Sequence, residues 1–322
     1  MIRRHLFPVS VLLVAGFVAS ISAQQPAARP AAPTPTPAAT TPAAGGATAV
    51  PYFGVLGAAE GQISSPRGVV VAADGVYIVE RDNARVQKFT TQGALVWKTG
   101  STGAGDGQLS APVGLAVNGG SVYVADTNNR RVAVFDAASG KFIKNIGQGG
   151  NDLNQLLAPV AVAFDVDGKM FVADSGNRRV QVYEKDGVPA RMIAGAAGSA
   201  DSFGSLGPGG VVVDAKNTVW ASDPSNHRLM QFDFNGKFIK QISSPPDMPV
   251  QMQSPLGLAS DATGQVYAAD SVARQVYVFS AAGEPTGARS SQLLQEPSYV
   301  AVDSSGMLYV VDTVSLRVVL VK

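Results

Sequence analysis

One acidic residue recurs six times along the chain, each time at the end of a short apolar run. In the two clearest copies, Asp126 and Asp174, an Asn follows three residues later and an Arg five residues later. Carboxylates gathered in one place could hold a divalent metal or act as general acid and base. An acid required once per repeat can instead cap its own turn and pair with the nearby arginine, and we expect this structural role. The six acids are Glu80, Asp126, Asp174, Asp223, Asp270 and Asp312.

The acids belong to a repeated unit that predicts a β-propeller. Each unit begins near a proline and contains short runs rich in Val, Tyr, Phe and Ile, bounded by Gly, Asp, Asn and Ser. In the second unit these runs cover residues 114–117, 122–125, 131–135 and 142–146. Four short antiparallel strands in a period of about 40 to 50 residues are typical of a propeller blade. The prolines that mark the units are Pro66, Pro112, Pro159, Pro208, Pro255 and Pro297.

The two ends of the chain predict how the ring closes. The last unit stops at residues 317–321, its third strand, and lacks a fourth. Residues 52–56 match the fourth-strand pattern of the other units, so we expect them to pair into the last blade. The predicted fold is all-β, a six-bladed β-propeller of four-stranded antiparallel blades over residues 50–322. Closure by the N-terminal strand would remove the free edges that an open sheet presents.

The recurrent Asp-x-x-Asn-x-Arg-Val resembles the NHL repeat, and the chain resembles a secreted bacterial-type NHL repeat protein. The motif is complete at residues 126–132 and 174–180, and it departs in other units, for example with Glu80 in place of Asp. The six registered copies extend the resemblance over residues 52–322. The resemblance implies a propeller. It also implies two enzyme types to consider: amidating lyases with several His ligands on an axial metal, and gluconolactonase-like propellers with an acid-rich metal site.

The N-terminus predicts an exported protein. Residues 1–23 have Arg3 and Arg4 before a short apolar run and a small-residue end, as in a cleaved signal peptide. An uncleaved membrane anchor is the alternative. Residues 24–49, rich in Pro, Ala and Thr, predict a disordered linker, either a spacer or a leader without a role. We therefore expect a periplasmic or secreted protein, and the chain contains no cysteine that could form disulfides.

Charge and histidine content argue against two classes of function. Without Arg3, Arg4 and Arg29 the chain carries 22 Lys+Arg and 24 Asp+Glu, so it lacks the basic surplus of nucleic-acid-binding proteins. His227 is the single histidine beyond the leader, and one histidine cannot form a multi-histidine metal site. We expect no nucleic-acid partner, no metal or other cofactor, and no membrane span once the signal is removed.

Positions at which the units differ are the more informative candidates for ligand contact, because the blade architecture does not require them. Arg67 follows the first marker proline, Arg81 follows the first acid, and Tyr299 stands where four other units have Gly. The loop entering the first strand and the turn after the second should share one face, so these residues would surround one mouth of the ring. The predicted ligand-binding residues are Arg67, Glu80, Arg81, Asp126, Asp174, Asp223, His227, Asp270, Tyr299 and Asp312.

The sequence as a whole favours a binding module over an enzyme. The predicted function is an exported propeller that binds a peptide, protein or glycan at one mouth of the ring, with no catalytic residues assigned. Fold alone does not define the activity, because such scaffolds carry unrelated functions. The alternative is a metal-dependent hydrolase or lyase of the gluconolactonase or amidating-lyase type.

Overall fold

The computed structural model describes residues 52–196, 198–244 and 249–322. The predicted signal peptide at 1–23 and the linker at 24–49 lie outside these residues and stay predictions. Helical structure in the described part is limited to three 3-10 turns, Thr127–Asn129, Ser175–Asn177 and Pro224–Asn226. None of the described helices has the length and apolar character that crossing a membrane requires.

The first blade shows that the two middle strands of a blade are its most buried strands. Its two central strands are buried along their whole length, since they lie between neighbouring blades, whereas its outermost strand alternates between half-buried and exposed residues. The N-terminal strands are β1 (Tyr52–Phe53), β2 (Val55–Leu56) and β3 (Gln62–Ile63), and blade 1 contains β4 (Pro66–Ala72), β5 (Gly75–Glu80), β6 (Arg85–Phe89) and β7 (Leu95–Thr99).

Blades 2 and 3 repeat this arrangement, and a small parallel pair of strands joins them. Blade 2 contains β8 (Leu115–Asn118), β9 (Ser121–Asp126), β10 (Arg131–Asp136) and β11 (Phe142–Ile146). The parallel pair is formed by β12 (Gln148–Gly149) and β13 (Gln155–Leu156). Blade 3 contains β14 (Pro159–Phe164), β15 (Met170–Asp174), β16 (Arg179–Tyr183) and β17 (Pro189–Ile193).

The remaining strands form three further sheets, the last of which lacks a C-terminal fourth strand. Blade 4 contains β18 (Val211–Val213), β19 (Val219–Asp223), β20 (Arg228–Phe232) and β21 (Phe238–Ile242). Blade 5 contains β22 (Pro255–Ser260), β23 (Val266–Asp270), β24 (Gln275–Phe279) and β25 (Pro285–Ser290). Blade 6 contains β26 (Pro297–Val302), β27 (Leu308–Asp312) and β28 (Arg317–Val321).

The six sheets form a ring. The first strands of successive blades, β4, β8, β14, β18, β22 and β26, contact one another in this order, and β26 also contacts β4. Hydrophobic clusters lie between neighbouring sheets; one contains Tyr77, Val79 and Leu115 from blades 1 and 2. The sequence prediction of a six-bladed propeller with four-stranded antiparallel blades is confirmed.

Strand β1 completes blade 6, as the sequence predicts. Tyr52 and Phe53 pair antiparallel with Val319 and Val318 of β28. The Phe53 ring lies edge-on to Tyr309 of blade 6 and to Phe89 of blade 1, with ring centroids 5.5 and 5.8 Å away. Phe53 therefore bonds to one blade through its backbone and packs on the next through its side chain, so it joins the two ends of the ring.

The closing strand is shorter than predicted. Residues 55–56 do not continue β1 but pair in parallel with residues 62–63. The cause is Gly54, whose φ of 77° turns the chain and whose Cα lies against the Ile63 side chain. The same parallel pairing occurs between β12 and β13, so residues 55–56 belong to the loop between blades.

In blades 1 to 4, a buried network of hydrogen bonds and ion pairs fixes the turn after the second strand. In blade 2 the carboxylate of Asp126 accepts hydrogen bonds from the Ser110 N–H at 2.7 Å, from Asn129 Nδ2 at 2.8 Å and from Arg131 Nε at 2.9 Å. Asp126 is fully buried. Burial raises its pKa, and these three donors oppose that shift by stabilising the ionised form.

The arginine of this network also organises the glycine-rich loop before the blade. Arg131 Nη1 donates to the Ala104 carbonyl at 2.9 Å, and Nη2 donates to the carbonyls of Gly105 and Gln108 at 3.0 and 2.9 Å. The loop thus directs carbonyl oxygens at a cation, the opposite of a phosphate-binding loop, which presents N–H groups.

Blades 5 and 6 keep the acid but replace the side-chain donors with backbone N–H groups. Asp270 accepts from the backbone of Ser254 and Ala273, and Asp312 accepts from Glu296 and Ser315. The constant part of the motif is therefore a buried carboxylate that joins the turn to the preceding loop.

We expect Phe53→Ala to lower the free energy of unfolding by about 3 kcal/mol, because it removes a buried ring at the point of closure. The matched control is Val55→Ala, two residues away, where the side chain is 63% exposed and the change should be within about 0.5 kcal/mol. Denaturant unfolding of both variants measures the difference. Equal losses in the two alanine variants would contradict the role given to Phe53. Deletion of residues 24–49, the predicted linker, should leave the free energy of unfolding unchanged.

We expect Asp126→Ala to destabilise the protein by about 3 kcal/mol or more, because it leaves the half-buried Arg131 and two other donors without their carboxylate. Asp167→Ala, at an exposed hairpin position in blade 3, is the control and should change stability by less than about 0.5 kcal/mol. Thermal and denaturant unfolding provide the measurement. A neutral Asp126→Ala substitution would show that the network does not stabilise the turn.

Candidate functional site

A cup of about 290 Å³ opens at one mouth of the ring. Its wall is mainly apolar, and two arginines and two serines supply the polar groups. The lining residues are Arg67, Arg81, Val113, Val160, Ser175, Leu206, Pro208, Gly209, Pro224, Leu256, Ser298 and Tyr299.

The repeat explains why these residues meet. The first two strands of a blade are antiparallel, and the marker proline at the start of one pairs with the acid at the end of the other, as Pro66 pairs with Glu80. The residues that follow this pair, Arg67 and Arg81, therefore emerge at the same end of the sheet. Val113, Val160, Leu256 and Ser298 also follow marker prolines, so equivalent positions of several blades form the wall.

Tyr299 forms the floor of the cup. It stands where the corresponding strands of the other blades have Gly68, Gly114, Ala161, Gly210 and Gly257. The ring of Tyr299 lies against the backbone of Gly257 in blade 5, and its hydroxyl oxygen lies 2.9 Å from the point where a Cβ on Gly114 in blade 2 would be. The side chain therefore reaches across the axis into space that side chains at the glycine positions would occupy. Burial raises the pKa of Tyr299, so its hydroxyl is neutral.

Below Tyr299 the axis continues as an axial channel whose lining side chains are mainly aliphatic. This cavity of about 300 Å³ is lined by the first strands of all six blades, including Val70, Ala116, Val212 and Val300, and Tyr299 lines both cavities. The tyrosine thus separates the mouth cup from the axial channel.

The two arginines are close enough to influence one another. Arg67 is half-buried, and its Nε atom is buried without a hydrogen-bond partner in the described part of the chain. Burial, and next the positive charge of Arg81, lowers the pKa of Arg67, while Asp82 and Glu296 oppose the shift. No described acid lies within ion-pair distance of either arginine.

The residues predicted to form the site do not all meet. Arg67, Arg81 and Tyr299 line the cup together. The six recurrent acids are fully buried within their own turns and are absent from the lining of the cup. The structural role expected for them is confirmed by these hydrogen bonds, and their ligand-binding role stays a prediction that this geometry does not support.

His227 lies apart from the cup. It is exposed, has a φ of 54° in the turn of blade 4, and its Nδ1 contacts the Gln253 carbonyl. The position is the left-handed one that Arg130 and Arg178 occupy in the preceding blades. His227 therefore belongs to the rim between blades 4 and 5.

The described residues do not fit the axial metal site implied by gluconolactonase-like propellers. They contain no group of three or more His, Asp or Glu side chains arranged to hold a metal ion. The axial channel is lined mainly by Val, Ala and Leu, whose side chains provide no ligand atoms. We therefore derive no chemical step through a metal.

The apolar wall was not predicted from the sequence, although part of the signal was present. Val113, Val160 and Leu256 occupy the position of Arg67 in other units, so the repeat places them at the same mouth of the ring. Leu206, 64% exposed, lies two residues before the marker proline Pro208, at a position where other units have Ser, Gln or Leu, so the repeat does not show that its side chain lines the cup.

Solved structures similar to this chain include enzymes and a binding protein. A gluconolactonase from Xanthomonas campestris is 16% identical, with a TM-score of 0.62 over 81% of this chain and 86% of the other. A catalytically inactive histidine variant of virginiamycin B lyase from Staphylococcus aureus, solved with quinupristin, is 14% identical, with a TM-score of 0.58 over 77% and 78%. A chain of a nidogen–laminin complex is 17% identical, with a TM-score of 0.59 over 74% and 85%. At these sequence identities the similarity shows a shared fold and nothing further.

Comparison with curated proteins finds no relative. A family model does match: the SMP-30/gluconolactonase/LRE-like region matches residues 64–253, more than half of the chain. The propeller implied by the NHL resemblance is thus confirmed, while the family that matches is a different one. The chain belongs to the SMP-30/gluconolactonase/LRE-like family.

Proposed function

We propose that this propeller binds a small molecule, or the terminal residue of a peptide or glycan, in the mouth cup. The observation that carries the proposal is the cup itself, which combines apolar walls, a tyrosine floor and two arginines without ion-pair partners among the described residues. A concave, mostly apolar pocket with a few convergent polar groups is the usual form of a ligand site. Its volume of about 290 Å³ suits a small ligand or a single terminal group.

The residues that make the cup distinctive are those that the repeat does not require. Tyr299 fills an axial position that four blades leave to Gly, and Arg67 adds a partly buried charge where other blades have Val, Leu, Gly or Ser. Burying an unpaired guanidinium costs free energy, so its presence in the wall is accounted for when a ligand supplies the partner.

The proposed setting is outside the cytoplasm. The basic n-region and the apolar run at residues 1–23 support export to the periplasm or the medium. The absence of a basic surplus in the sequence supports a ligand other than nucleic acid.

A fragment screen read by thermal unfolding tests the site. We expect ligands at about ten times their Kd to stabilise the wild-type protein by about 1.4 kcal/mol. Val160→Trp, which fills the cup, should abolish this stabilisation. Val188→Trp is the matched control, because Val188 lies in a hairpin of blade 3 and is 54% exposed. Fragments that stabilise the wild type and Val160→Trp equally would place binding elsewhere and refute the proposal.

Family membership favours a second candidate function, hydrolysis or elimination in the same cup. The matching family includes gluconolactonases by name, and both a gluconolactonase and a lyase share the fold. The two guanidinium groups could stabilise the oxyanion that forms when water adds to a lactone carbonyl. The lining residues include no Asp, Glu or His to act as general base.

Lactone hydrolysis tests the second candidate. If the cup catalyses the reaction, acid release from gluconolactone should exceed the uncatalysed rate, and Arg67→Gln should reduce this excess about 10-fold or more. A chelator should have no effect, because the described residues offer no metal-binding cluster. A rate equal to the uncatalysed one would eliminate this candidate for gluconolactone, and a chelator-sensitive rate would show that a metal takes part in the reaction.

A further inference from the structure

We infer that the ligand of the mouth cup carries a carboxylate, which Arg67 and Arg81 bind together, and an apolar body that packs against the walls. The inference rests on the proposed function, because it specifies the chemistry of the ligand in that site. It follows from three features of the cup: the arginines have no ion-pair partners among the described residues, the nearby acids are exposed outside the cup, and the walls are apolar.

The two arginines of the cup lack the partners that the motif arginines Arg85 and Arg131 have. Arg85 and Arg131 each bond a buried acid of their own blade and the carbonyls of the preceding loop. Arg67 has an unpartnered, buried Nε, and Arg81 is exposed without an ion pair among the described residues. Burial and the nearby charge of Arg81 disfavour the Arg67 cation. An anion between the two guanidinium groups would relieve both effects.

The acids near the arginines do not fill this role. Asp82 and Glu296 favour the charged form of Arg67, but both are exposed and neither lines the cup. Water therefore screens their charges more than it would screen an anion inside the cup. Glu80 directly precedes Arg81, but it is buried and its oxygens already accept from Asn83 and Arg85.

The walls favour an organic anion over an inorganic one. Val113, Val160 and Leu256 stand on the side of the cup supplied by blades 2, 3 and 5, and Pro224 adds a further apolar surface from blade 4. A carboxylate matches the planar, two-pronged geometry of guanidinium donors. An attached apolar body would cover these walls and exclude water from the ion pairs, whereas free phosphate would leave them wet.

Calorimetric titration with matched probes tests the inference. The probes are phenylbutyrate, its neutral analogue phenylbutyramide, and inorganic phosphate. We expect the wild-type protein to bind phenylbutyrate about 10- to 100-fold more tightly than phenylbutyramide, the difference that a charge-assisted hydrogen bond makes. Phosphate should bind more weakly than phenylbutyrate.

The variants identify the groups responsible. Arg67→Gln and Arg81→Gln should each reduce the preference for the carboxylate to less than about 3-fold while leaving phenylbutyramide binding almost unchanged. Arg289→Gln is the control, since this arginine is exposed on the outermost strand of blade 5 and should leave the preference intact. Thermal unfolding of each variant shows whether it is folded. If Arg67→Gln does not fold, Arg81→Gln still tests the inference, because Arg81 is exposed and its substitution should not affect folding.

The outcomes separate this inference from the proposed function. Equal binding of phenylbutyrate and phenylbutyramide, lost in Val160→Trp, would overturn the carboxylate and retain the cup as a site. Phosphate binding more tightly than phenylbutyrate would also overturn the organic anion. Failure of both organic probes to bind the wild type would overturn the inference, and the fragment screen would then decide the proposed function. Binding that Val160→Trp does not alter would overturn both.

Discussion

Tyr52 and Phe53 close the ring of six sheets. A propeller has no free edge only if its last sheet is completed, and here the completing strand comes from the opposite end of the described chain. The closing contacts are few: two pairs of residues between the strands and two contacts between aromatic rings. In addition, the Arg317 guanidinium lies 4.2 Å from the centre of the Tyr52 ring. Blade 6 uses its motif arginine in this way, whereas the arginines of blades 1 to 4 bond the turn acid.

Closure around six sheets also determines what fits at the axis. The first strands of neighbouring blades come so close that a Cβ at Gly68 would lie 2.6 Å from the Val113 carbonyl oxygen, and one at Gly210 2.5 Å from the Leu256 carbonyl oxygen. Backbone at this distance leaves room for hydrogen only. Tyr299 is accommodated because Gly257 and Gly114 leave the space into which it extends.

The repeat made the architecture predictable, and for the same reason it left the site harder to predict. Six aligned copies of the acid and the proline were enough to predict the blades, the shared last sheet and the structural role of the acids. Arg67, Arg81 and Tyr299 could be selected because they depart from the repeat. Leu206 could not, because it precedes its marker proline at a position where the residue type varies between units and does not reveal which way the loop turns. The parallel pairing of residues 55–56 could not either, because it depends on the positive φ of Gly54. The sequence could not show that the six acids do not line the cup, because spacing does not reveal whether their carboxylate oxygens already accept hydrogen bonds within the turn.

Tyr299 has a consequence for the sidedness of the molecule. With this ring in place, the space along the axis is divided into the mouth cup and the axial channel, and Tyr299 is the lining residue that the two cavities share. A glycine at this point, as most of the other blades have, would remove the ring that lies between the two cavities. The depth of the mouth cup therefore depends on a single side chain, without any change in the blades.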